Sequence, residues 1–306
     1  MKIIILAVQL LTFLLLSPLI SGLISKLKNN LRMRKGQGVL QPYYNLFKLF
    51  SKEEVISETA SWIYRVTPFV VFASTLTAAL LIPLLALTSP LQYLGDFLAL
   101  IFIFALGRFF LALAALDTSS AFGGMGASRE MFISSLAEPV ACLAAFVLAL
   151  QFGSSNISLF SGMHPVLLSS LIAAIALLFV AIAETSRIPI DNQETHLELT
   201  MVHEAMVLEY SGKSLALLEL SAAVKQMIWF LLIAQIIFPM QAMPFAAGIG
   251  MFFWLGWFCL RLIIIAVFVA VLEVSLAKMR LLRVVDYFGF AFLLSVVALV
   301  CAIIGV

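Results

Sequence analysis

Long stretches without a charged side chain are the feature that most limits how this chain of 306 residues can fold. They cover residues 3–25, 66–95, 139–183, 226–260 and 287–306. A helix needs about 20 apolar residues to cross the hydrocarbon core of a bilayer. Because a helix satisfies its own backbone hydrogen bonds, it is the element that such segments form in lipid. The sequence therefore predicts an all-α, polytopic membrane protein.

Composition supports this conclusion, because 63% of the residues are apolar and only 11% are charged. Soluble proteins contain roughly 45–50% apolar and about 25% charged residues. A soluble fold of this chain would expose large apolar patches, and too few charges are present to keep a disordered chain solvated. The formal net charge of +2 gives no indication of a nucleic-acid partner.

Polar and proline-containing breaks divide the apolar stretches into about eight transmembrane helices within one transmembrane domain, residues 1–306. We predict these spans at residues 3–25, 66–88, 93–116, 131–152, 165–185, 215–238, 245–272 and 285–305.

The basic residues predict the orientation of these spans. Lys and Arg occur in every second loop, and the loops near 89–92, 153–164 and 239–244 contain neither. Because basic loops stay in the cytoplasm, we predict that both termini lie outside it. Two cytoplasmic segments follow: a basic loop with an amphipathic helix at 26–65, and an acidic loop at 186–213.

Several ionisable residues fall inside the predicted spans or directly at their ends, and a charge at mid-membrane costs about 2.5–3.5 kcal/mol. They are Arg108, Glu138, Glu184, Glu219, Lys225, Arg261 and Glu273. Buried ions in a membrane usually mark a pathway, which is our interpretation of Glu138, Lys225 and Arg261. Glu184 and Glu273 lie near span ends, where paired ions or side chains that reach the headgroups are the alternative.

The 186–213 loop and its border combine six acids with many apolar residues. The acids are Glu184, Asp191, Glu194, Glu198, Glu204 and Glu209. Asp191 and Glu194 fit a capping box that begins a helix. Glu194 and Glu198 are four residues apart, so their like charges share a helix face. We expect the loop to fold back against the bundle, where its carboxylates exchange protons near neutral pH.

His196 and His203 lie on the same loop, seven residues apart. The HExxH pattern of a zinc site fails at Val207, so we predict no metal site. The three cysteines, Cys142, Cys259 and Cys301, all lie inside predicted spans. An iron–sulfur cluster normally needs four cysteines, and no Gly-rich phosphate loop follows a strand. We therefore expect no redox cofactor in this chain.

The 26–65 loop contains a basic turn, Arg34, Lys35 and Gly36, followed by YYNLFKLF at residues 43–50. Aromatic and polar residues at helical spacing predict a short helix that lies in the membrane interface. This helix either anchors the chain in the lipid headgroups, or it docks a peripheral partner or walls the mouth of a cavity.

Two sequence motifs, taken together, carry a resemblance to a known family. The first is Arg187-x-Pro-x-Asp191 with Glu194, Glu198 and residues 209–212 (EYSG); the second is the basic turn leading to Gln41. Over essentially its whole length the chain resembles a family of membrane subunits of respiratory complex I. That family occurs in bacterial NADH–quinone oxidoreductase, and its mitochondrial counterpart is NADH dehydrogenase subunit one. The runs GVLQPYYNLFKLF and LDTSSAFGGMGASRE look most like the branch of formate hydrogenlyase and group four energy-converting hydrogenases.

The resemblance implies a multi-pass subunit of a prokaryotic cytoplasmic membrane, surrounded by membrane lipid. It implies contacts with a peripheral hydrogenase-like or complex I-like redox subunit and with antiporter-like membrane subunits. Iron–sulfur clusters, and nickel–iron where the partner is a hydrogenase, would belong to those partners. The expected proton relay comprises Glu138, Glu184, Glu194, Glu198, Glu204, Glu209 and Lys225. Structural or docking roles are expected for Arg34, Lys35, Gly36, Arg108, Asp117, Arg129, Arg187, Asp191, Tyr210, Arg261 and Glu273.

The functional hypothesis is a membrane-anchoring subunit that couples electron transfer in the peripheral arm to proton or sodium translocation. Isolated from its complex, the chain is not expected to catalyse the redox reaction. Two alternatives remain at the level of sequence. In the first, the first loop and the sixth span line a quinone-reducing site. In the second, the chain is a self-sufficient secondary transporter, a class of protein that often contains inverted repeats.

Overall fold

The computed structural model is built from helices and describes residues 2–57, 60–83, 94–160, 167–192, 201–239 and 248–305. In chain order these helices are α1 (Lys2–Leu31), α2 (Gln41–Phe50), α3 (Trp62–Leu81), α4 (Phe97–Asp117), α5 (Ala121–Phe152), α6 (Ile157–Phe160), α7 (Leu168–Glu184), α8 (His203–Val207), α9 (Gly212–Ile237), α10 (Gly248–Ser275) and α11 (Val284–Ile304).

Seven of the described helices are long and apolar enough to cross a membrane, and α7 is a shorter apolar helix of 17 residues. Together these eight helices correspond in order to the eight predicted spans, so the predicted all-α membrane fold is confirmed. The orientation of the termini stays a prediction.

Three predicted boundaries were wrong by six residues or more. Helix α3 ends at Leu81 rather than at 88, and the other two errors lie at helix ends rich in polar residues. Helix α5 begins at Ala121 rather than at 131, so Arg129 lies in a helix and not in a loop. Helix α1 continues to Leu31, so Lys28 also lies in a helix rather than in the basic loop. Polar residues are tolerated there because they have partners: Lys28 is buried against Glu273.

Helix α9 lies at the centre of the bundle, and α1, α3, α7 and α10 pack around it. Its Trp229 and Phe230 side chains are almost completely buried. Alanines dominate the buried faces of α5 and α7, which lets these helices approach closely, as small residues do in membranes. The alanines are Ala127, Ala137, Ala141, Ala144, Ala145, Ala173, Ala174, Ala176, Ala181 and Ala183.

The C-terminal carbonyls of α3 end among apolar side chains and need hydrogen-bond donors. Gln9 of α1 supplies them, because its Nε2 lies 2.9 Å from the carbonyl oxygen of Ala79 and 2.6 Å from that of Ile82. Gln235 of α9 donates to the carbonyl of Pro83 at 3.1 Å. These two buried glutamines therefore fix the end of α3 against its neighbours.

The two predicted cytoplasmic loops lie together on one side of the bundle. The backbone N–H of Val55 donates to Ser211 Oγ at 2.8 Å, and the same hydroxyl donates back to the Val55 carbonyl at 3.1 Å. The Tyr64 hydroxyl donates to the carbonyl of Glu209 at 2.7 Å. Since these contacts join segments about 150 residues apart, the 26–65 and 186–213 loops form one surface.

Candidate functional site

Four charged side chains from four helices form a buried network. Arg108 of α4 is paired with Glu184 at the end of α7, and its Nη2 lies 2.5 Å from Glu138 Oε1 of α5. Lys225 Nζ of α9 lies 2.5 Å from the second oxygen of Glu184. The Arg108 and Glu184 side chains are each 6% exposed, whereas Glu138 is 43% exposed. The network therefore extends from the bundle interior to its flank.

A cavity of about 60 Å³ lies beside this network. Arg108, Glu184 and Lys225 line it, together with Glu130 of α5 and His203 of α8. A space of about 10–15 Å³ holds one water molecule when polar partners are present, so this cavity has room for several. It lies between the loop that carries His203 and the buried ions, and water inside it would connect the two.

A second, smaller cavity of about 10 Å³ lies between Arg108, Glu138 and Glu184. Trp229 also lines it, and the buried Nε1 of this indole has no hydrogen-bond partner among the described residues. The volume matches roughly one water molecule. A water there would join the indole to the carboxylates on the way to Glu138.

His203 is the one group of the cavity that lies outside the membrane-spanning helices and titrates near neutral pH. Burial lowers the pKa of the His203 imidazole from its usual value of 6.5, the Lys225 ammonium acts in the same direction, and Glu204 opposes both. The imidazole is therefore neutral at pH 7 and offers both a hydrogen-bond donor and an acceptor. Such a group can pass a proton between the loop and the cavity.

A second ion cluster anchors the start of the 186–213 loop. Arg187 Nη1 lies 2.5 Å from Glu273 of α10, and Arg187 Nη2 donates to Gln226 of α9 at 2.8 Å. Lys28 of α1 lies 2.6 Å from the other Glu273 oxygen. All four side chains are buried. They join the loop to three membrane helices by charge-assisted hydrogen bonds.

Asp191 fixes the next part of the loop. Its Oδ1 lies 2.7 Å from Lys278 Nζ, and its Oδ2 accepts the backbone N–H groups of Val202 and His203 at 3.0 and 3.2 Å. Asp191 thus satisfies N–H groups at the start of α8, as a capping carboxylate does. The predicted capping box with Glu194 lies outside the described residues, as do Glu198 and His196.

The described part of the loop from residue 201 onward packs against the bundle, as expected. Met201, Val202, Ala205, Met206 and Val207 are buried. Of the acids in this part, Glu209 is exposed, and Glu204 is not among the residues that line the cavity. Their relay role stays a prediction.

Several predicted docking or structural residues lie elsewhere and contact the backbone. Arg129 donates to the carbonyl of Met201 at 3.0 Å. Arg261, which is buried, donates to the carbonyl of Phe238 at 3.0 Å. Asp117 accepts from the backbone N–H of Ser61 at 2.8 Å.

Tyr210 stacks on Tyr64 with ring centroids 4.1 Å apart, and burial raises the pKa of the Tyr210 phenol. The basic turn Arg34, Lys35 and Gly36 is exposed. Exposure is compatible with docking, which stays a prediction for these residues.

Sequence reasoning missed five residues around the site. They are Lys28 and Gln226 of the second ion cluster, Lys278 beside Asp191, and Glu130 and His203 of the cavity. Glu130 had a detectable signal, because Glu130, Ser134, Ala137 and Ala141 follow one face of a helix and all four are buried. Placing the start of α5 after Glu130 concealed this face. Among the described residues, no group of three His, Cys, Asp or Glu side chains could hold a metal ion.

Comparison with known proteins agrees with this architecture. The chain is 34% identical to formate hydrogenlyase subunit 4 of Escherichia coli strain K12. The match extends over 296 residues and covers 94% of this chain and 95% of the relative. It is 33% identical over 289 residues to hydrogenase-4 component C of the same organism, with 92% and 91% covered. NADH-quinone oxidoreductase subunit 8 of Rhodothermus marinus is 27% identical over 222 residues, which cover 68% of this chain and 63% of that one.

A solved structure shares the fold. It is a chain of the membrane-bound sulfane sulfur reductase, an archaeal respiratory membrane complex, with a TM-score of 0.82 and 18% sequence identity over 98% of this chain and 99% of that chain. The relatives are subunits of multi-subunit complexes. The prediction of a multi-pass membrane protein that assembles with other subunits is therefore confirmed, and the kind of partner stays a prediction. The family described as NADH dehydrogenase matches residues 2–304. The chain therefore belongs to the NADH dehydrogenase family, as the motifs of its loops and the resemblance drawn from them predicted.

Proposed function

We propose that this chain is the membrane subunit that couples a peripheral redox reaction to ion translocation in a hydrogenase- or complex I-like complex of a prokaryotic cytoplasmic membrane. The observation that carries the proposal is the buried ion network, with a cavity beside it, directly beneath the 186–213 loop. Family membership and the names of the relatives support the class of complex. The translocated ion is a proton in the simplest interpretation, because the network consists of carboxylates, cations and an imidazole.

The relay begins at the loop. His203 would exchange a proton with water in the cavity, and Glu130 and Glu184 are the carboxylates that line the same cavity. Protonation of Glu184 would weaken its two cation pairs, so Arg108 would interact more strongly with Glu138. A change of charge at the loop is thereby passed across the bundle without movement of a helix.

Glu138 is the exit of this relay. A carboxylate that is 43% exposed on a membrane helix would face hydrocarbon if lipid covered it, and unsolvated charge in lipid is costly. We therefore place a neighbouring membrane subunit of the antiporter-like kind against this part of α5. A polar side chain of that subunit would continue the relay.

The peripheral redox subunit would dock on the joined surface of the two loops. The basic turn is exposed there, and α2 presents Tyr44, Phe47 and Phe50, which are 65%, 75% and 41% exposed. Iron–sulfur clusters, and nickel–iron in a hydrogenase, would reside in that partner. A redox event near this surface would act on the loop that carries His203 and Asp191.

The test uses the assembled complex in proteoliposomes and compares E138Q and E184Q with E219Q. Glu219 lies on α9 outside the network and serves as the matched control. We expect E138Q and E184Q to lower the number of ions moved per electron while E219Q leaves it unchanged. Repeating the assay without sodium separates protons from sodium ions. Normal coupling in both network variants would refute the relay.

The volume of the cavity beside the network argues against a quinone-reducing site there. An aromatic ring the size of benzene occupies a cavity of about 150 Å³, and this cavity measures about 60 Å³. A quinone that copurifies with the wild-type complex and is lost from the E184Q variant would contradict this argument. Ion flux by the chain reconstituted alone would support the alternative of a secondary transporter.

A further inference from the structure

A third cavity, of about 140 Å³, lies away from the ion network, where the 26–65 loop meets the ends of α3 and α9. Glu54, Tyr64, Arg65, Phe69, Ser211 and Ser214 are among the residues that line it. A cavity of about 150 Å³ holds a molecule of six carbon atoms. The space therefore fits a group of that size, and none of these residues belongs to the relay.

The cavity carries one positive and one negative side chain. Arg65 is exposed and has no hydrogen bond or ion pair with the described residues. Glu54 comes from the 26–65 loop, and its Oε1 accepts the backbone N–H of Ser214 at 2.7 Å. Its second oxygen remains to accept from another donor. Opposite charges from two elements that line one cavity favour a ligand that is itself zwitterionic.

The face of α3 that continues from the cavity has the pattern of a membrane interface. Trp62 is 68% exposed at the first position of the helix, and Val66 and Phe69 are 40% and 62% exposed one and two turns further along. Trp is enriched at the level of the lipid headgroups. At 1.5 Å per residue, Phe69 lies about 10 Å deeper than Trp62. Arg65 is thus at headgroup level, with apolar surface below it.

We propose that this cavity binds the headgroup of phosphatidylethanolamine. The phosphate lies against Arg65, the primary ammonium donates to Glu54, and an acyl chain follows Val66 and Phe69. Phosphatidylglycerol presents no cation to Glu54, and the methylated ammonium of phosphatidylcholine cannot donate a hydrogen bond. The charges of the cavity therefore select a zwitterionic lipid with a primary amine.

The experiment titrates the delipidated, assembled complex in detergent with dioleoyl phosphatidylethanolamine, phosphatidylcholine or phosphatidylglycerol, and counts bound lipid by native mass spectrometry. Wild type should bind the ethanolamine lipid most tightly. The R65Q variant should weaken all three lipids about tenfold or more, since each phosphate loses a charge-assisted hydrogen bond. The E54Q variant should reduce binding of the ethanolamine lipid to the level of the choline lipid and leave the choline lipid unchanged.

Two controls keep the result interpretable. The R65K variant retains the cation and should bind within about threefold of wild type, because it keeps one charged donor. The K48Q variant removes an exposed cation of α2 and should bind as wild type does.

Equal affinity of wild type for the three lipids, or unchanged affinities in both R65Q and E54Q, would overturn the proposal. So would loss of the peripheral subunits from R65Q with lipid binding unchanged, because the cavity would then be a protein contact. None of these outcomes bears on the relay, which E138Q and E184Q test separately.

Discussion

Glu273 is the carboxylate whose replacement should loosen the 186–213 loop most. Its two oxygens lie 2.6 Å from Lys28 Nζ and 2.5 Å from Arg187 Nη1, and its side chain is 2% exposed. The E273Q variant keeps the shape of the side chain and removes its charge. Lys28 and Arg187 then lie together without the anion that separates them.

The magnitude follows from the burial of the cluster. Removing one partner of a buried ion pair costs about 3–5 kcal/mol, because the other charge is left uncompensated. Here two cations lose the same carboxylate, so we expect the upper part of that range. Since about 1.4 kcal/mol is a factor of ten, local opening of the loop should become roughly 700- to 4,000-fold more frequent.

Hydrogen exchange in the assembled complex measures this opening. The reporters are the backbone amides of Val202 and His203, which donate to Asp191 in the closed loop. They should exchange faster in E273Q by the factor given above, whereas amides in the middle of α4 should not change.

A second set of variants tests whether repulsion between Lys28 and Arg187 causes the faster exchange in E273Q. K28M leaves one cation and one carboxylate in the cluster, so its effect should be small. The double variant K28M/E273Q leaves Arg187 as a single cation instead of a repelling pair, so its amides should exchange more slowly than those of E273Q alone. Exchange in E273Q at the wild-type rate, or faster exchange in the double variant than in E273Q, would refute this account.

Further variants probe the joined loop surface and the cavity. Gly212 has a φ of +54°, which L-residues adopt only with strain. In thermal melts, G212A should therefore destabilise the protein by about 1–2 kcal/mol. The control G289A, on α11, should be neutral in the same melts. The Y64F variant loses the hydrogen bond to the Glu209 carbonyl and should lower stability by about 1 kcal/mol in those melts. Burial lowers the pKa of His203 from 6.5 in the folded loop, so the unfolded loop binds more protons. The stability that neutral His203 gives the folded loop is therefore present above pH 6.5 and is lost as the pH falls below it. Hydrogen exchange of the α8 amides should show this loss in wild type and not in H203Q.

The membrane fold could be predicted from the sequence because the signal is local. Twenty apolar residues between polar breaks specify a spanning helix wherever its neighbours lie. Helix α11 illustrates this, since its observed range of Val284–Ile304 nearly matches the predicted span of 285–305. The predicted intramembrane charges Arg108, Glu138 and Lys225 were recognised by the same local rule, because each interrupts an apolar helix.

The partners of these charges could not be predicted, because they depend on how distant segments pack. Arg108 and Glu184 are 76 residues apart, and Arg187 and Glu273 are 86 apart. No periodicity in the sequence links them. Lys28 was assigned to a loop for the same reason: its buried environment exists only because Glu273 of α10 lies beside it.

The two ion clusters are coupled through the three peptide bonds that separate Glu184 from Arg187. Ser186 lies between them with a φ of +51°, is buried, and lines the same cavity as Glu184. A left-handed conformation of a residue with a Cβ costs about 1–3 kcal/mol and persists only where the surroundings impose it. Here the cap of α7 accounts for it, because the N–H of Ser186 donates to the Ala183 carbonyl at 2.9 Å and that of Arg187 to the Ile182 carbonyl at 3.0 Å, a pattern that needs a left-handed residue at this position. This short cap holds Glu184 of one cluster and Arg187 of the other at a fixed separation, so we expect that loosening either cluster shifts the other.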